Sequence, residues 1–160
     1  MATIEEAREV ARRRILGVGL ECAEVAPGVD VGRDIALVQG PNGLDLARVI
    51  GVDNLGQSLA IALTTARGSD VFDTGFGFDG LNAVAEETNP ILARERIRIA
   101  IVRLLLRDRR VARIVDVKLD DGRLEPVPAG RRELDVKVLF ETRTGDRAAA
   151  QLGRVVTDVG

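Results

Sequence analysis

The spacing of hydrophobic and polar positions along this chain changes several times, and each change marks an element. Ile4, Ala7, Val10 and Ala11 recur at helical spacing behind Thr3 and Glu6, whose S/T-x-x-E spacing is that of a capping box. Arg12, Arg13 and Arg14 then fall where cations favour a helix C-terminus, so a first helix is expected there. Residues 16–27 are apolar and punctuated by glycine. Two alternating runs, 34–38 and 44–49, flank Gly40-Pro41-Asn42-Gly43, and this turn chemistry predicts a small β-hairpin.

A second helix is expected from Asp53 or Asn54, with Asn54 as cap ahead of Gln57 and a stripe of Leu55, Leu59, Ala62 and Leu63. Residues 67–80 read as a glycine- and aspartate-rich loop, and 81–87 as two short helical turns. Asn89 as cap and Pro90 at the first helical position open a long helix to about Arg107. Ile97, Ile101, Leu104 and Leu105 form one apolar stripe on it, and Ile91, Ile99, Val102 and Leu106 a second. Apolar residues on two sides predict a central helix buried between layers.

Beyond it, Val111, Val115, Val117 and Leu119 alternate with Arg113, Asp116 and Lys118. Leu134, Val136, Val138 and Phe140 alternate with Asp135, Lys137 and Glu141. These runs predict two half-buried strands of a C-terminal β-hairpin, with a turn at Asp120-Asp121-Gly122. After Thr144 the pattern weakens: Ala148-Ala149-Ala150 suits a helix, and 154–157 suits a strand. The expected fold class is α+β, several helices packed on a small, mainly antiparallel sheet. The expected organisation is an N-terminal helix and hairpin arm over 1–50, a core over 51–145 and a tail over 146–160.

Composition removes many chemistries. The 160 residues include no histidine, tyrosine or tryptophan, one cysteine and four phenylalanines. Without imidazole there is no Ser-His-Asp or Cys-His nucleophile and no His-ligated zinc. The net charge of −2 provides no global attraction to nucleic acid or anionic membrane. Of 23 basic residues all but Lys118 and Lys137 are arginine, a bias attributable to GC-rich coding. Cys22, with no disulfide partner, reads as a small buried hydrophobe. The polar, acidic start is unlike a signal peptide, and no apolar run approaches the ~18 residues a membrane span needs. A soluble protein of a reducing compartment is the expectation.

Gly75-Phe76-Gly77-Phe78-Asp79-Gly80 spells G-x-G-x-x-G, but a half-polar segment precedes it and no βαβ unit is expected around it, so it reads as a shaped structural loop. Asp70, Asp73, Asp79, Glu86, Glu87, Asp116, Asp120 and Asp121 supply carboxylates for a glycan hydrolase, the alternative function class. The aromatic platforms of a sugar cleft are missing, and Asp70, Asp73 and Asp79 lack EF-hand spacing. No cofactor or metal is expected. Residues 94–113 carry eight arginines against Glu95 and Asp108, which allows a nucleic-acid-binding helix as a third class. With no interleaved aromatics, a protein partner is the better reading.

The succession of these elements resembles a known family. A hairpin leads through Gly51-Val52-Asp53-Asn54-Leu55-Gly56-Gln57-Ser58-Leu59 into Leu63-Thr64-Thr65-Ala66-Arg67-Gly68. A Phe76-Gly77 loop, a long helix and Arg107-Asp108-Arg109-Arg110-Val111 ahead of a β-hairpin follow. This is similar to the protein W-like baseplate wedge and sheath-initiator family of contractile tails, with counterparts in type VI secretion and extracellular contractile injection systems. The likeness covers about residues 50 to 145. The family's leucine-threonine-x-x-glycine and phenylalanine-glycine motifs fall on Leu63, Thr64 or Thr65, Gly68, Phe76 and Gly77, the structural loop. Its glutamate-proline-arginine signature falls on Asp108, Arg109 and Arg110, with the proline lost.

The resemblance implies a non-enzymatic baseplate subunit that binds the wedge core and initiates sheath assembly by strand addition. It assigns the wedge contact to Asp108, Arg109 and Arg110, and sheath docking to the strands at 111–119 and 133–143, with Leu134, Val136, Val138 and Phe140 as the docking set. The implied partners are other wedge proteins, the sheath protein and the inner tube or hub, with no nucleic acid and six copies in the assembly. The implied location is cytoplasmic during assembly, then a phage virion tail or injection particle. Some members carry a lysozyme label, which no residue here supports.

Overall fold

The computed structural model describes residues 3–25, 32–80, 86, 89–120 and 131–158, with the backbone alone at 90, 131–134 and 151–158. Among these are three helices: α1 (Ile4–Leu16), α2 (Gly51–Thr64) and α3 (Pro90–Leu105). Thr3 and Glu6 close both halves of the capping box on α1, and Asn89 caps α3 by accepting from the Ile91 amide at 3.0 Å. None of the described helices is long and apolar enough to cross a membrane. The helical turns expected over 81–87 and the turn at Asp121-Gly122 lie outside the described residues, apart from Glu86.

The C-terminal third is a three-stranded antiparallel sheet, β7 (Val111–Asp120), β8 (Arg131–Thr142) and β9 (Arg147–Asp158), in the order β7-β8-β9. Across it run the rows Val117–Val138–Ala150 and Ile114–Phe140–Ala148. α2 packs over β9 and α3 over β7, making two layers. The core between them joins Leu55, Leu59 and Leu63 of α2 to Ile97, Ile101 and Leu105 of α3 and to Val117, Val136, Val138 and Phe140. The fold is α+β with a C-terminal hairpin.

Four expectations change. Residues 147–158 are the third strand of the sheet and not a tail, and Ala148–Ala150 are extended. Alanine there serves by its small volume beneath α2, and packing overrides its helix propensity. The central helix is not α3 but α2, whose buried face includes Leu55, Leu59, Ala60, Ala62 and Leu63. On α3 only the stripe of Ala93, Ile97, Ile101 and Leu105 is buried, while Ile91, Ile99 and Leu106 are exposed. Finally, α2 begins at Gly51 with Ile50 as its cap residue, so Asn54 lies inside the helix.

The expected hairpin is part of a larger device. Six short strands form three antiparallel ladders: β1 (Val18–Leu20) with β6 (Arg48–Ile50), β2 (Cys22–Glu24) with β3 (Arg33–Ile35), and β4 (Leu37–Gly40) with β5 (Gly43–Leu46). The ladders meet at three residues in a closed ring of hydrogen bonds. Glu21 N–H donates to the Ala47 carbonyl at 2.9 Å, Ala47 N–H to Ala36 at 3.0 Å, and Ala36 N–H to Glu21 at 2.8 Å. One ladder leads back to α1 and α2; the other two project, and all of residues 33–46 except Ala36, Gly40 and Gly43 are exposed.

Candidate functional site

Asp108 and Arg110 form a fork-to-fork pair in the turn between α3 and β7. Arg110 Nε lies 3.0 Å from Asp108 Oδ1 and Nη2 lies 2.7 Å from Oδ2. The Arg110 backbone amide also donates to Oδ1 at 2.9 Å. The remaining arm of the guanidinium, Nη1, donates to the Leu16 carbonyl at 3.1 Å, and Asn54 Nδ2 donates to the same oxygen at 2.9 Å. Leu16 ends α1, where carbonyls lack intrahelical partners and the helix dipole is negative. Asn54 is buried, and its Oδ1 sits where a side chain on Gly19 would have to begin. Burial pushes the Asp108 carboxyl up, but the hydrogen bonds and charge of Arg110 outweigh this and hold it below its usual value.

These two residues therefore join α1 to the core. Of the three expected wedge contacts, only Arg109 turns to solvent. The sequence singles out Asp108 and Arg110 as a partner contact; it does not reveal that Arg110 reaches the chain's own first helix.

A second ion pair holds the same helix. Arg12 Nη2 lies 2.7 Å from Asp146 Oδ1, in the β8–β9 turn, and Thr144 Oγ1 donates to Asp146 Oδ2 at 2.6 Å. The Arg12 bond, then the Thr144 hydroxyl, hold the Asp146 carboxyl below its ordinary value. A carboxyl with a depressed native pKa adds stability above its unfolded value of about 3.9, and that stability disappears as pH falls through the native value. Urea midpoints are thus expected to be flat above about pH 5 and to fall below about pH 4. Asp146→Asn should flatten part of that acid limb; an unchanged limb would exclude Asp146 as a contributor.

The structural loop starts where α2 stops. Thr65 N–H and Oγ1 both donate to the Ile61 carbonyl, at 3.0 and 2.7 Å. Phe78 N–H donates to Thr65 O at 2.8 Å and Arg67 N–H to Phe78 O at 3.0 Å, tying the loop's two ends together. Gly77 has a φ of 98°, and a Cβ there would stand 2.6 Å from the Thr65 carbonyl oxygen. Only glycine fits so close an approach at that φ. The G-x-G-x-x-G letters thus record loop packing, and among the described residues no βαβ unit surrounds them. Asp70 and Asp73 accept bonds from nearby backbone amides, and Asp79 pairs with Arg67 at 2.9 Å. Gly68, with a φ of 84°, opens the same loop, and Phe76 is half-buried in it. Phe72, by contrast, is 97% exposed.

The expected docking set on β8 faces a different fate. β8 is the middle strand, hydrogen-bonded on both sides, and Val136, Val138 and Phe140 are buried in the core. Leu134 pairs with Val155 of β9 in the backbone register. No incoming strand can pair with β8; among the described residues the edges of this sheet are β7 and β9. Alternation along β8 reports burial on one face and carries no information about which strand lies outermost.

Alongside β9 runs a groove of about 540 Å³ between that strand, α2 and the base of the β-arm. Arg147, Ala148, Ala149 and Ala150 all line it. Consecutive strand side chains point to opposite faces, so four in a row line one groove only when it follows the strand's edge. Its α2 wall is Val52, Asp53, Gly56, Gln57 and Ala60, and its far rim is Glu21, Cys22, Arg33 and Val49. Gln57 braces that rim, accepting from Cys22 N–H at 2.8 Å and donating to Leu20 O at 2.7 Å. Gly56, Gln57 and the three alanines were not among the expected site residues. Small volume is the sequence signal at Gly56 and the alanines, whereas Gln57 reads as the partner of an Asn54 cap.

The chain matches no protein-family model and no curated protein. Its class rests on the geometry above: an α+β protein with a buried core sheet, an open sheet edge beside a groove, and a projecting three-way β-arm.

Proposed function

We propose that this protein is a structural baseplate subunit of a contractile tail or contractile injection system, which binds the wedge core and initiates sheath assembly by strand-mediated docking. The observation that carries this reading is the edge of β9, which pairs with no further strand among the described residues, beside a groove whose α2 and β9 walls include the small residues Gly56, Ala60 and Ala148 to Ala150. An extended segment of a neighbour can lie in it, pair its backbone with β9 and close the sheet without displacing a core side chain. The succession of elements and the tight loop at Thr65, Gly77 and Phe78 support the same reading. The docking strand is then β9 and not β8. Arg109, exposed beside the inward-turned Asp108–Arg110 pair, is the part of the signature left for the wedge. Sheath, wedge and tube or hub proteins are the proposed partners, in sixfold arrangement, in a phage tail or injection particle.

Gly56 offers a direct test, because a Cβ added there meets no atom within 4 Å. Alanine improves on glycine in a helix interior by about 0.5–1 kcal/mol and lysine is also a good helix former, so Gly56→Ala and Gly56→Lys should both fold at least as well as the parent. Gly56→Lys places a long cationic chain in the groove. Baseplates carrying it are expected to lack sheath, while those with Gly56→Ala build it normally, as counted by electron microscopy. Normal sheaths on Gly56→Lys baseplates would overturn strand docking at β9. Absence of the protein from purified contractile particles would overturn the baseplate reading itself.

A further inference from the structure

α3 carries a second, unburied stripe next to its core stripe. Arg96, Ile99, Ala100, Arg103 and the half-buried Leu104 recur at i, i+3, i+4, i+7 and i+8 on α3, Arg107 follows in the turn just beyond it, and all line one cleft of about 650 Å³. The opposite wall is the loop of residues 67–80, whose Arg67, Gly77, Asp79 and Gly80 face the stripe. Four arginines thus meet around one cavity, against the carboxylates of Asp79 and Glu86. Arg67 is paired with Asp79, and Arg107 Nη1 reaches the Gly75 carbonyl only at 3.3 Å. Among the described residues no carboxylate lies within ion-pair distance of Arg103. Ile99, itself exposed, adds an aliphatic patch to the floor.

The loop wall is built before any ligand arrives. The Thr65–Phe78 and Arg67–Phe78 hydrogen bonds and the close approach at Gly77 hold it against the end of α2. A concave site with excess positive charge focuses its field on whatever enters, and arginine forks bind carboxylates in pairs of parallel hydrogen bonds. We propose that this cleft is the docking site for an acidic, partly aliphatic segment of a partner protein. Carboxylates of the segment would meet Arg103 and its neighbours while a side chain covers Ile99. A nucleic acid fits less well: no aromatic lines the cleft to stack a base, and Asp79 and Glu86 interrupt the basic track a phosphate backbone needs. The proposal is independent of the baseplate reading. It also uses different residues from Asp108, Arg109 and Arg110.

The test uses the full chain and a fluorescent dodecapeptide of aspartate, glutamate and leucine, followed by anisotropy. A counterpart with asparagine and glutamine is the control. The acidic peptide should bind, and bind more weakly as salt rises. Arg103→Glu should weaken it at least about tenfold and Arg103→Gln by a smaller factor. Arg98→Glu changes the net charge equally but lies outside the cleft, and it should stay within about twofold of the parent. Arg103 is exposed but is the cation in the last turn of α3, so Arg103→Gln should melt close to the parent and Arg103→Glu only slightly below it. Equal losses from Arg98→Glu and Arg103→Glu would overturn the proposal, because net charge alone would explain them. So would equal binding of the neutral peptide, no binding of the acidic one, or a single-stranded oligonucleotide that binds more tightly and is lost with Arg103→Glu.

Discussion

Phe140→Ala is expected to remove about 3–5 kcal/mol of stability, a large part of the 5–15 kcal/mol that holds a typical domain together. Phe140 is fully buried, and it sits in the middle strand between Ile114 and the small Ala148. Truncation leaves a void that neither neighbour can fill, because strands on both sides fix the position of β8. Phe72→Ala is the matched control. That ring is 97% exposed, and its removal should change stability by less than about 0.5 kcal/mol. Urea unfolding of the two variants separates the core role of Phe140 from a docking role. A folded Phe140→Ala protein of parental stability would contradict the packing described above.

The second large effect belongs to Arg110. Arg110→Ala should cost about 2–3 kcal/mol, somewhat below the roughly 3–5 kcal/mol for breaking a fully buried pair, because this pair is partly exposed. Three things are lost together: the partner of a half-buried Asp108 carboxylate, a donor to Leu16 O, and a cation at the C-terminus of α1. Arg110→Lys keeps the charge but not the three-way fork, so it should recover only part of the loss. If the main role of Arg110 is to satisfy Asp108, adding Asp108→Asn to Arg110→Ala should restore stability. If it is to hold α1, the double variant should remain as unstable as the single one, and proteolysis near residue 17 should accelerate. The midpoints of the four proteins decide between these roles.

Local chemistry made much of the fold legible. Thr3 with Glu6, and Asn89 with Pro90, mark helix starts because capping involves only neighbours in sequence. Gly40-Pro41-Asn42-Gly43 marks a reversal for the same reason. The signature pair Asp108 and Arg110 is likewise local, two residues apart, and so is visible in the sequence. The target of the pair, the Leu16 carbonyl, lies 94 residues away from Arg110 and leaves no mark on either segment. The three-way β-junction is illegible for a related reason. Glu21, Ala36 and Ala47 exchange backbone partners there, and the backbone is the same whatever the residue.

The pattern of polar and apolar positions by itself determined roughly where the three helices and the strands β7 and β8 run, and which face of β8 is buried. It did so because caps, turns and periodicity act within a few residues. On β7 a register shift turns Val115 out and Ile114 in. Only the tertiary structure decided that β8 lies inside the sheet and β9 at its edge, that α2 and not α3 is the central helix, and that 147–158 completes the core. Each of these depends on which element packs beside which. Period-two alternation is identical for a middle and an edge strand, and an apolar helix face does not say whether this chain or another one covers it.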